Sequence, residues 1–90
     1  MALVTVRGFG TNKGVFIHRV QSSGTARVRG SSAVFASVAE WVRGEAKCNM
    51  GLAVCRVLDV VPGVGFVDVR IDITWRSVVN YRVTLLIEEE

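Results

Sequence analysis

The clearest pattern in the chain is a strict alternation over residues 66–76. Val67, Val69, Ile71, Ile73 and Trp75 fall on one side, and Phe66, Asp68, Arg70, Asp72, Thr74 and Arg76 on the other. Period two without interruption predicts a strand with one buried face. Tyr81 to Glu88 repeats it, with Tyr81, Val83, Leu85 and Ile87 on one face. Pairing Ile71 with Leu85, Ile73 with Val83 and Trp75 with Tyr81 keeps every apolar side chain together, with Ser77-Val78-Val79 as a short loop. A slip of one residue would turn a strand inside out. The last two strands are therefore expected to be hydrogen-bonded neighbours.

Upstream, Val4 and Val6 alternate with Thr5 and Arg7, giving a strand over about 3–9. Gly10 to Gly14 is turn chemistry, and Val15 to Gln21 is a second strand. Thr25 to Arg29 makes a short third strand after Ser22-Ser23-Gly24. Leu52 to Val61 is apolar on both sides apart from Arg56 and Asp59, which predicts a central strand. Val61-Pro62-Gly63-Val64 fits a type II turn.

One segment reads differently. Ser31 or Ser32 can cap a helix by accepting a bond from a free first-turn N–H. Beyond them Val34, Val38, Trp41 and Val42 recur at helical spacing, with Phe35 widening the stripe and Gly44 as a stop. The expected fold is thus α+β and mainly antiparallel β, in the order βββ-α-βββ. A sheet, small sandwich or barrel would carry one helix packed on the apolar face of the last two strands, within a single domain over residues 1–90. Trp41 and Trp75 should then meet in one core.

Composition changes this picture in one respect. Half of the 90 residues are hydrophobic and the mean hydropathy is +0.39. Two arrangements accommodate that: a sheet covered on both faces, or apolar surface buried against another chain. The second is favoured, because large exposed apolar patches mark interaction sites. Charge is unevenly spread. Residues 1–39 hold Arg7, Lys13, Arg19, Arg27 and Arg29 and no acid, and the chain closes on Glu88-Glu89-Glu90. The basic half can meet an anionic partner, or the acidic end of a second copy. No signal peptide or membrane-spanning run of about 18 apolar residues stands out. A cytoplasmic, reducing location is expected, with Cys48 and Cys55 as thiols.

Catalytic constellations are weak. Gly8-Phe9-Gly10-Thr11-Asn12-Lys13-Gly14 has glycines that feed a strand rather than a helix N-terminus, so it reads as a hairpin turn and not a phosphate cradle. His18, the one histidine, lies mid-strand with no carboxylate before Glu40 to orient it. Asp68 and Asp72 share a face but lie roughly 13 Å apart along a strand, beyond the ~5–9.5 Å of paired catalytic carboxylates. With Arg70 between them they form an alternating-charge ladder. Cys48 and Cys55 are too few and too widely spaced for a zinc site within one chain.

The expectation is a non-enzymatic structural or interaction protein acting as a homo-oligomer, such as an assembly component of a bacterial or phage particle, with no cofactor. Val54, Arg56, Leu58, Val60 and Glu88 are its expected interface residues. The alternative is a small nucleic-acid-binding module using Arg7, Arg19, Arg27 and Arg29, whose binding would weaken steeply with salt.

Overall fold

The computed structural model describes residues 2–21, 28–42, 44 and 50–89. They form six strands and no helix: β1 (Ala2–Asn12), β2 (Gly14–Gln21), β3 (Val34–Glu40), β4 (Val54–Pro62), β5 (Phe66–Thr74) and β6 (Val79–Glu89). Two three-stranded antiparallel sheets result, in the orders β1-β6-β3 and β2-β5-β4. The chain changes sheet at every connection except β4–β5.

The core follows from the alternation of the two central strands. Val67, Val69, Ile71 and Ile73 of β5 and Val79, Tyr81, Val83, Leu85 and Ile87 of β6 are buried in one cluster. Seven of these are essentially sealed from solvent. Burying each such aliphatic side chain stabilises the fold by about 1.5–3 kcal/mol. Val20 from β2 and Val28 complete the buried set, and Val6, Phe16, Val34, Ala36 and Val57 pack around it.

The helical expectation, and with it the α+β class, is overturned: the fold is all-β, and residues 34–40 are a strand. β3 pairs with β6 from Val34↔Ile87 to Glu40↔Tyr81. Val34, Ala36 and Val38 turn inward against the core, while Phe35, Ser37 and Ala39 turn outward. The pair Val34 and Val38 satisfies both a four-residue helical step and two strand steps, so spacing alone is ambiguous. Pairing with Val83, Leu85 and Ile87 decides it, and Val and Phe suit a pleated surface. Ser32 caps no helix. Its hydroxyl accepts from the Arg29 N–H (2.9 Å), and its own N–H donates to the Arg29 carbonyl (2.9 Å), closing a turn.

Three other expectations change. β5 and β6 are not hydrogen-bonded neighbours; they sit at the centres of different sheets, with their apolar faces stacked across the core. β4 is an edge strand, not a central one. The β4–β5 turn falls at Gly63–Phe66, where the Gly63 N–H donates to the Phe66 carbonyl (2.9 Å) and Gly65 takes the positive φ of 80°. The expected third strand, 25–29, lies mainly outside the described residues, although Val28 is buried and its carbonyl accepts from the Gly65 N–H at 3.0 Å. Trp41 lies on the outer side of β1-β6-β3, with its ring 4.6 Å from that of Phe9, whereas Trp75 packs against the core.

Candidate functional site

The outer face of β2-β5-β4 has a regular construction. The central strand presents Asp68, Arg70 and Asp72. β2 sets Arg19 opposite Asp68, Ile17 opposite Arg70 and Val15 opposite Asp72. β4 sets Val61 opposite Asp68, Asp59 opposite Arg70 and Arg56 opposite Asp72. Every charge in this grid therefore faces an opposite charge across a strand pair.

The side chains realise that pattern. Arg19 grips Asp68 with two bonds, Nε to Oδ1 at 2.8 Å and Nη2 to Oδ2 at 3.0 Å. Its guanidinium also lies 4.0 Å from the centre of the Phe66 ring. Arg70 donates to Asp59 at 2.8 Å, and Arg56 donates to Asp72. The hydrogen bond from Arg19 holds the Asp68 carboxyl below the usual carboxylate range, and Asp68 in turn raises Arg19. Exposed ion pairs of this kind add little stability. Their effect here is to neutralise the middle of the face.

Apolar side chains flank the ladder. Val15 and Ile17 on β2 are 64% and 60% exposed, and Val54, Leu58 and Val61 on β4 are 53%, 44% and 58% exposed. A shallow hollow of about 300 Å³ is lined by Ile17, Asp59, Val61, Asp68 and Arg70. β4 owes its double exposure to a register shift between Val57 and Asp59. The extra residue turns both Leu58 and Asp59 outward, as a β-bulge does.

The expected interface residues divide accordingly. Val54, Arg56 and Leu58 lie on this face. Val60 does not: the bulge turns it inward against the core. Glu88 belongs to β6 in the other sheet, opposite Leu3. Arg70 is expected from the charge ladder, whereas Val15, Ile17, Val61 and Asp59 are not, although β2 is apolar on both of its alternating sides, which is the available signal.

The structure does not gather the expected nucleic-acid arginines. Arg7 is exposed on the outer face of β1-β6-β3, opposite Thr84. Arg19 is on the outer face of the other sheet, engaged with Asp68. Arg29 is exposed in the turn before β3, and Arg27 lies outside the described residues.

His18 points between the sheets. Its Nδ1 is 2.7 Å from the Tyr81 hydroxyl, and the two rings meet edge to face. Gly8 and Gly10 of β1 leave room for the pair: a Cβ at Gly8 would stand 2.9 Å from His18 Nε2, and one at Gly10 would stand 2.3 Å from the Tyr81 oxygen. Burial lowers the His18 pKa and raises that of Tyr81. Cys55 is a free thiol on the inner side of β4, pushed up by burial and then by the nearby Glu40 carboxylate. Cys48 lies outside the described residues.

No protein-family model, curated protein or solved structure matches this chain. Of the labels drawn from the sequence, the antiparallel β-sheet stands. The helix-bearing fold is replaced by an all-β one, and the structural role, self-assembly, particle membership and nucleic-acid binding draw no support from these comparisons. No helix among the described residues is long and apolar enough to cross a membrane.

Proposed function

We propose that the protein is a non-catalytic interaction module that works by associating with further copies of itself. The observation that carries this reading is the outer face of β2-β5-β4. Five aliphatic side chains stay exposed there although the core beneath is complete without them. Between them the charges are already paired within the chain. Removing an unpaired charge from water is costly. A face whose charges are satisfied internally can be covered at lower cost, while its aliphatic flanks gain from losing water. The cytoplasmic location expected from the sequence belongs to this reading.

The test is the double variant Ile17→Asp with Leu58→Asp, compared with wild type by light scattering after gel filtration. Both side chains are exposed, so far-ultraviolet circular dichroism should be unchanged. The wild-type chain should associate and the variant should show a smaller mean mass. A wild-type chain that stays monomeric, or a variant with undiminished mass, contradicts the proposal.

A further inference from the structure

Edge strands carry free backbone donors and acceptors, and proteins usually guard them. The four edges of this sandwich differ in that respect. β4 is guarded by its bulge and by Pro62, and β3 and β2 are only seven and eight residues long. β1 has eleven residues, no proline and an unbroken register with β6 from Ala2↔Glu89 to Asn12↔Val79. Its other side is paired to no strand among the described residues. Alternate residues along it direct their N–H and C=O groups outward.

The side chains on β1 select a partner. Leu3, Thr5, Arg7 and Phe9 alternate on the outer face, and Val4, Val6 and Gly8 on the inner one. Leu3 is 63% and Phe9 50% exposed. Arg7 is the one charge in the strand. Consider a second β1 laid antiparallel along this edge about a two-fold axis. The two residue numbers in each pair then have a constant sum. Odd sums would set inward residues against outward ones, which the buried inner face forbids. A sum of 14 places Arg7 on Arg7 of the second copy, and like charges directly opposite are unfavourable. A sum of 12 places Val6 on the axis, Thr5 against Arg7, and Leu3 against Phe9, each twice by symmetry. That register joins the two exposed apolar residues and separates the arginines.

We propose that β1 pairs with β1 of a second copy about a two-fold axis at Val6, so that β1-β6-β3 continues into a six-stranded sheet across the dimer. This rests on the self-association reading but uses a different surface from the face of β2-β5-β4. The two contacts are compatible in one assembly, because one is an edge and the other a face.

The decisive residue is Thr5, whose side chain is exposed and, in this register, faces Arg7 of the second copy. Thr5→Glu should tighten the dimer and Thr5→Arg should weaken it. Two symmetry-related cross-strand charge pairs change the dissociation constant by roughly two- to thirty-fold in each direction. The measurement is sedimentation velocity over a concentration series in a Leu58→Asp background, which silences the outer-face contact. Circular dichroism checks that each variant is folded. Opposite shifts for the two variants, diminishing with salt, support the pairing. A Leu58→Asp chain that is monomeric while wild type associates overturns the edge pairing and leaves the outer face standing. Equal effects of Glu and Arg overturn it as well. A monomeric wild type overturns both readings.

Discussion

Adding one methyl group at Gly10 probes the centre of this fold directly. A Cβ there would lie 2.3 Å from the Tyr81 oxygen, 2.6 Å from Cζ and 3.0 Å from Cε1. Gly10 is within β1 opposite Tyr81, and its φ is not positive, so Gly10→Ala introduces no backbone strain of its own. The ring has little room to yield. Tyr81 is 4% exposed, its hydroxyl is held at 2.7 Å from His18, and the Phe16 ring lies 5.3 Å away. Overpacking costs about 1–3 kcal/mol. Displacing the hydroxyl from His18 adds about 0.5–1.5 kcal/mol. The reduced freedom of the unfolded chain offsets about 0.4–1 kcal/mol. The expected net loss is about 0.5–4 kcal/mol, seen as a lower urea midpoint at fixed protein concentration. Gly30→Ala is the control, since a Cβ there meets nothing within 4 Å. Tyr81→Leu should absorb part of the Gly10→Ala cost in a double-variant cycle. A neutral or stabilising Gly10→Ala would refute the placement of β1 over Tyr81.

Other consequences are testable in the same way. The folded His18 pKa lies below its ordinary value of 6.5 because burial disfavours the cation. On acidification from neutral pH the unfolded chain takes up this proton first, so stability falls as pH drops through about 6.5 towards the folded pKa; urea midpoints should decrease from pH 7.5 to 5.5, and His18→Gln should flatten that slope. Arg70→Ala should leave the thermal midpoint nearly unchanged, since exposed ion pairs contribute little, yet it should reduce association by leaving Asp59 unpaired on the outer face. Far-ultraviolet circular dichroism should show a single β-type minimum without the helical double minimum; a clear helical signal would contradict the assignment of residues 34–40 to a strand.

Five of the six strands are legible in the chain. The uninterrupted alternation of 66–74 and 81–87 marks β5 and β6 and identifies their core residues except Val79, which is expected in a loop but is buried at the start of β6. Period two does not say which strand lies beside which. Two strands with matching apolar faces can be paired edge to edge or stacked face to face, and the sequence of β5 and β6 satisfies both. Stacking prevails because β1 and β3 occupy both sides of β6, and β2 and β4 both sides of β5. Residues 34–40 mimic a helix in sequence because Ala36 is small and its inward position carries little hydrophobic signal beside Val34 and Val38.

The candidate face was half legible for a related reason. A strand apolar on both sides, such as β4, reads as covered on both sides, but here its second side is exposed at the sheet edge. Val54, Arg56 and Leu58 follow from alternation alone. The bulge after Val57 shifts the phase and exchanges Val60 for Val61, and no residue pattern announces it. Arg7 and Arg19 are separated by the thickness of the sandwich, because β1 and β2 belong to different sheets.

On the proposed self-association, a second copy covers the aliphatic surface that one copy leaves exposed. Sedimentation equilibrium of the wild-type chain from micromolar to millimolar concentration detects this. A mass that rises with concentration to twice that of the 9.8 kDa chain or beyond is the expected result. A mass fixed at that of one chain across the whole range would contradict it.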